Sequence, residues 1–139
     1  MIVLDTSGLL AALDGSQRQH RAAADILRRS AEPLLLSPFV LAELDYLIAT
    51  RISPVSARAL LGQVAAGAYR LEPMGAEDIA AAGSIIDRYR DLELGLADAS
   101  LVVLAERHTT WDLLTLDERH FRAVSGPKGR PFRILPADA

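Results

Sequence analysis

The chain opens on Met1-Ile2-Val3-Leu4, an unbroken apolar run that stops at Asp5 and passes at once into Thr6-Ser7-Gly8-Leu9-Leu10-Ala11-Ala12-Leu13. A run that is apolar at every position, not every second one, is that of a strand covered on both faces. The helix-forming residues after it put Asp5 at a strand-to-helix junction, with Thr6 or Ser7 available as the cap. Asp14-Gly15-Ser16 breaks the pattern, and helical spacing resumes from about Gln17 to Ser30, ending at Glu32-Pro33. Leu34-Leu35-Leu36 predicts a second buried strand, and Ser37-Pro38 a cap with proline in the first helical position. Val40, Leu44, Leu47 and Ile48 then mark the buried face of a helix from about Phe39 to Arg51. Beyond it the pattern predicts a helix from Ser53-Pro54 to about Gly67, a strand near Tyr69 to Glu72, and helices near Ala76 to Arg90 and Leu96 to His108. A strand over Trp111 to Thr115, a short helix near Glu118 to Ala123 and a last strand at Phe132 to Leu135 complete the chain. Strands alternating with helices throughout predict an α/β fold with a parallel sheet covered on both faces.

Composition narrows the picture without changing it. A length of 139 residues suits one domain, 1–139, with a proper core. Half the residues are hydrophobic and 24% charged, yet no apolar run approaches the roughly 20 residues that cross a bilayer. The start has no basic region ahead of its apolar run, so it does not read as a secretory signal. The absence of cysteine removes disulfides, thiolate zinc sites and cysteine nucleophiles, and fits a cytoplasmic protein. A net charge of −3 argues against a surface that binds nucleic acid all over, but leaves room for a local basic patch.

Four acids stand out against this frame. Asp5 ends a strand that needs no carboxylate, although capping accounts for it too. Glu43 lies three residues after Val40 and four before Leu47, inside the apolar stripe of its helix, and is expected to face the core or a cleft wall. Asp98 falls in the first turn of its helix, where the helix dipole favours it. The small residues Gly95, Ala97, Ala99 and Ser100 around it are expected to leave room for an ion or substrate. Asp117 repeats the order of strand, acid, helix. Asp112 is no substitute, since it starts its strand about 16 Å from the far end. Hard oxygen ligands with no Cys or His cluster nearby select Mg2+ or Mn2+, and such ions commonly run phosphodiester hydrolysis.

Positive charge is clustered. Arg119, Arg122, Lys128, Arg130 and Arg133 form a run free of Asp and Glu that begins two residues after Asp117, and Arg18, Arg21, Arg28 and Arg29 form a second group. Arg119 or Arg122 is expected to contact substrate phosphates, with the later residues extending that track or meeting an acidic partner. The small residues in the helices near Ala57 to Gly67 and Ala80 to Ile86 permit close helix approach and point to a homodimer.

Taken together, Ile2-Val3-Leu4-Asp5-Thr6-Ser7, Ser37-Pro38 through Leu41-Ala42-Glu43-Leu44, Leu94-Gly95-Leu96-Ala97-Asp98-Ala99-Ser100 and Leu114-Thr115-Leu116-Asp117-Glu118-Arg119-His120-Phe121 resemble the PIN-domain ribonucleases. Within them the resemblance is to the VapC-type toxins of toxin–antitoxin pairs. It covers essentially the whole chain and implies a three-layer α/β/α sandwich with a short parallel sheet. It also implies an Mg2+-dependent endoribonuclease with an RNA substrate, a homodimer, and inhibition by a cognate antitoxin. Asp5, Glu43 and Asp98 match the family's central acids, with Asp5 and Asp98 as metal ligands. Asp117 matches a more variable fourth, and Thr6 and Thr115 match small hydroxyl residues that support the acids.

Rival readings meet specific obstacles. A haloacid dehalogenase-type phosphoaspartyl enzyme needs a second Asp where Ser7 stands, and a receiver domain needs a lysine at a strand end, whereas the sole lysine, Lys128, lies in a Gly/Pro loop. No phosphate-loop or Gly-x-Ser-x-Gly pattern occurs. The alternative from another class is a non-catalytic PIN-like module that binds RNA or a partner.

Overall fold

A computed structural model describes residues 1–139. Its strands are short: β1 (Ile2–Leu4), β2 (Leu34–Leu36), β3 (Arg70–Leu71), β4 (Asp112–Leu114) and β5 (Arg133–Leu135). All pair in parallel in the order β3-β2-β1-β4-β5, with Val3 level with Leu35 on one side and Leu113 on the other. Val3, Leu4, Leu35, Leu36, Leu113 and Leu114 are all buried. That burial is why these strands are apolar at consecutive positions.

The helices are α1 (Thr6–Leu13), α2 (His20–Arg29), α3 (Pro38–Arg51), α4 (Pro54–Ala65), α5 (Ala76–Arg88), α6 (Leu96–His108) and α7 (Glu118–Phe121). The chain steps from β1 to β2 to β3 in one direction, then crosses to β4 and β5 on the far side of β1. Right-handed crossovers therefore send α1–α4 to one face of the sheet and α5–α7 to the other, giving the α/β/α sandwich. No helix is long and apolar enough to cross a membrane.

Element types follow the apolar pattern, and several ends move for local reasons. Helix α2 begins at His20, not Gln17, because the Asp14 side chain gathers Ser16 N at 3.0 Å, Ser16 Oγ at 2.8 Å and Gln17 Nε2 at 3.3 Å into a turn. Helix α5 stops at Arg88, and Arg90–Leu92 tightens into a short 3-10 turn closed by Glu93 at φ 54°. Helix α1 begins at Thr6, so the cap is Asp5 itself and neither Thr6 nor Ser7. Two close fits hold the frame together. Gly8 packs on the end of β4 so tightly that a Cβ there would stand 2.4 Å from the Leu114 carbonyl oxygen. On the outer edge, buried Glu72 collects Arg70 at 3.2 Å, Arg107 at 3.5 Å and His108, tying the end of β3 to the last turn of α6.

Candidate active site

Strand β1 sits where the order of the sheet reverses, with β2 on one side and β4 on the other. Chains leaving neighbouring strands for opposite faces open a crevice at the strands' carboxyl ends, the usual ligand position in open α/β sheets. Asp5 leaves β1 at this point and Thr115 leaves β4 beside it.

Asp5 is 5% exposed. Its Oδ1 accepts from Thr6 N at 2.8 Å, while Oδ2 accepts from Ser7 Oγ at 2.9 Å and from Thr115 Oγ1 at 2.5 Å. The two hydroxyls lie 3.2 Å apart and are themselves fixed, because Ser7 Oγ accepts from Leu116 N and Thr115 Oγ1 from Asp117 N. Burial pushes the Asp5 carboxyl up to about 6; the nearby Asp98 adds to the rise, while the bonds from Thr115, Ser7 and Thr6 oppose it.

Glu43 does not face the core. It is exposed on α3 and reaches the crevice at its rim, where Oε1 accepts from Thr6 Oγ1 at 2.6 Å. Its long side chain keeps the carboxylate in water while the stem lies beside the apolar stripe. Asp98 is half-buried at the third position of α6, and its Oδ2 accepts from Gly95 N at 3.2 Å in a capping arrangement. Burial raises its pKa; the Gly95 bond and the proximity of His120 act against that rise, and Asp117 and Glu43 add to it. The four acids therefore share one field. The small residues near Asp98 serve packing more than space: Ala99 sits in an apolar cluster with Ala82 and Val103, and Ser100 is fully buried. Ser100 Oγ lies 2.7 Å from Ser37 Oγ, and Ser37 caps α3, so this bond ties the start of the helix bearing Glu43 to the first turns of the helix bearing Asp98.

Asp117 caps α7 with Oδ1 on His120 N at 3.0 Å, and its Oδ2 lies 2.6 Å from His120 Nδ1. Both oxygens are thus engaged by one residue. Arg119 is exposed with no side-chain partner. Arg122, expected with Arg119 to meet phosphate, is held by Glu118 at 2.7 Å and in a two-pronged bond by Asp138 at 2.8 and 3.2 Å, which pushes its pKa up. The basic run does not form one track. Arg133 begins β5 level with Asp112 and pairs with it at 3.4 Å, and Arg130 stacks over Trp111 just before β4, so both lie at the amino edge of the sheet, away from the acids. Lys128 belongs to the same turn, whose Pro127 carbonyl accepts from Trp111 Nε1.

The structure thus brings Asp5, Glu43, Asp98 and Asp117 to one crevice with Thr6 and Thr115, and adds Ser7 and His120. Ser7 had a visible signal, a hydroxyl two residues after the strand-ending acid. His120 had one as well, a histidine one helical turn after a capping Asp. No arginine or lysine pairs with Asp5, Glu43 or Asp98. That set of hard oxygens, with a buried carboxylate lacking any counter-charge, has the donor chemistry that suits a hard divalent cation. Each of the four carboxylates accepts from a protein donor, and no three of them surround a common point closely enough to coordinate an ion.

The PIN domain family model matches residues 2–127. Ribonuclease VapC26 of Mycobacterium tuberculosis is 43% identical over 135 residues, which span 97% of this chain and 100% of that protein. Among solved structures, VapC20 of Mycobacterium tuberculosis, a sarcin-ricin loop cleaving toxin, superposes with a TM-score of 0.83 at 21% identity over 94% of this chain and 100% of that one. VapBC2 from Rickettsia felis, bound to a DNA fragment from its promoter, gives a TM-score of 0.67 at 17% identity over 96% and 98%. With one family model spanning most of its length and one close relative spanning nearly all of it, the chain belongs to the PIN-domain family.

Proposed function

We infer that this protein is a metal-dependent endoribonuclease that hydrolyses RNA phosphodiester bonds and acts as the toxin of a toxin–antitoxin pair. One observation carries the reading: Asp5, Glu43 and Asp98 converge on a crevice with no lysine or arginine paired to them, and the first of them is buried. Such a set attracts a hard cation, Mg2+ or equivalently Mn2+, held by Asp5 and Asp98 with Glu43 at the rim. When bound, the ion neutralises phosphate charge and makes water a better nucleophile. The chain's own residues do the rest. Ser7 and Thr115 keep the Asp5 carboxylate aimed at the crevice, Thr6 steadies Glu43, and Arg119 supplies positive charge for the RNA backbone. Similarity to a ribonuclease and to a toxin supports the same reaction class.

The partners follow from this role: an RNA substrate, a cognate antitoxin and a second copy of the chain. Val55 and Leu61, exposed on α4, are apolar surface that a second copy would cover, which light scattering at micromolar concentration checks. An RNA target inside the cell implies the cytoplasm.

The test uses purified protein and total ribosomal RNA. Cleavage in Mg2+ that EDTA stops, and that Asp98→Asn lacks while keeping its fold, supports the reading. Equal cutting by Asp98→Asn and wild type, with no effect of EDTA, sinks it. Binding of RNA with no cleavage under any metal favours the non-catalytic module instead.

A further inference from the structure

We propose that His120 touches the substrate in this site: Asp117 fixes the imidazole through Nδ1, and Nε2 hydrogen-bonds a non-bridging oxygen of the scissile phosphate. The proposal rests on the nuclease reading above and revises what the junction after β4 contributes to it. Both carboxylate oxygens of Asp117 are committed to His120, one to its backbone N at 3.0 Å and one to Nδ1 at 2.6 Å. Asp117 is therefore a holder of a ring before it is a fourth acid, and it stands outside the metal-binding pair Asp5 and Asp98.

Three features point the ring toward substrate. A carboxylate on Nδ1 sets that nitrogen as a donor and fixes the ring plane, leaving Nε2 as the working atom. The side chain is 22% exposed, and Nε2 has no partner within the protein. The imidazole also lies close enough to Asp98 to favour its ionised form, so the ring borders the same crevice as the proposed metal ligands.

Charge supplies the need. An acidic crevice must offer donors to a polyanion; Arg122 is spent on Glu118 and Asp138, Lys128, Arg130 and Arg133 belong to the other edge of the sheet, and of the basic run only Arg119 is free to act beside His120. His120 is the donor already bonded to one of the acids, Asp117. Donation from both nitrogens takes one N–H for Asp117 and one for the phosphate.

Two amides separate the two nitrogens. In His120→Asn the amide stands near Nδ1 and can keep the Asp117 bond, but nothing reaches the place of Nε2. In His120→Gln the amide reaches the place of Nε2. Binding of a fluorescein-labelled single-stranded RNA is measured against salt with Asp98→Asn as the common background, and cleavage of total ribosomal RNA in the otherwise wild-type enzyme, with melting temperatures alongside. The expected result for His120→Asn is an unchanged melting temperature, about tenfold weaker binding, and a salt dependence reduced by about one contact. His120→Gln, which restores a donor at the place of Nε2 but no charge, is expected to recover part of the affinity and of the cleavage while the salt dependence stays reduced. Wild-type binding and cleavage by His120→Asn overturn the proposal, and so does loss in both variants in step with a lower melting temperature. A wild-type protein that neither binds nor cuts RNA overturns the nuclease reading itself.

Discussion

Thr115 on one strand end donates a 2.5 Å hydrogen bond to Asp5 on the next, and its oxygen accepts from Asp117 N at 2.9 Å. One hydroxyl thus orients the first acid and starts the turn that carries the fourth. Thr115→Val keeps the shape and removes both bonds, leaving Asp117 N without its acceptor. A loss of about 1–3 kcal/mol in urea unfolding is expected, with cleavage reduced further than stability explains. An unchanged unfolding midpoint would remove Thr115 from this role.

Asp5 makes stability depend on pH in an identifiable direction. Its carboxyl rises from 3.8 to about 6 on folding, so between these values the folded chain holds a proton that the unfolded chain has lost. Stability without metal therefore falls as pH rises from about 4 to 6, by about 3 kcal/mol for this group when fully ionised. Asp5→Asn is expected to flatten that dependence and to melt higher than wild type at pH 7 in EDTA. Mg2+ should stabilise wild type and leave the variant unmoved, which thermal melts at several pH values would measure.

Gly8→Ala is expected to destabilise although alanine is the better helix former. The added Cβ meets the Leu114 carbonyl oxygen at 2.4 Å, and that oxygen is pinned by its bond from Asp5 N at 2.9 Å. Relief requires α1 to shift, at a cost of about 1–3 kcal/mol. The shift carries Thr6 and Ser7 with it, so cleavage should fall as well; a melting temperature at or above wild type would contradict this.

Glu72 offers the opposite separation of stability from activity. Its buried carboxylate serves Arg70, Arg107 and His108 at the outer edge of the sheet and touches none of the crevice acids. Glu72→Gln is expected to lower stability by about 2 kcal/mol through weakened charged hydrogen bonds, while cleavage by the folded protein stays at the wild-type rate. Reduced cleavage at a temperature where the variant is fully folded would mean that the edge strand is coupled to the site.

The junctions that carry the acids were legible because a strand covered on both faces must be apolar throughout, which makes a terminal Asp conspicuous. The same position makes it a cap: Asp5 and Asp117 are the N-caps of their helices, and Asp98, at the third position of α6, bonds back to the N-cap Gly95. What could not be read depends on which strands are neighbours. Ser7 and Thr115 share Asp5 only because β1 lies against β4, and Gly8 is critical only because α1 rests on Leu114. Glu43 was expected to face the core or a cleft wall, and of the two it is the core that its exposure excludes, since an apolar stripe does not say how far a long side chain reaches toward water. The basic run reads as one patch along the chain, and it divides because the segment after α7 returns to the amino edge to begin β5.

The central position of β1 also governs when this protein can become active during its own synthesis. The bond between Thr115 and Asp5 closes a loop of 110 residues, so the first acid emerges from the ribosome long before the strand that orients it. A nascent chain ending before β4 holds Asp5, Glu43 and Asp98 but lacks one side of the crevice, along with the hydroxyl and the dyad that complete it. Contacts of such long range form late in folding. On the nuclease reading, the site is therefore assembled only once most of the chain has been released, and a chain that ends before β4 lacks the hydroxyl that orients Asp5.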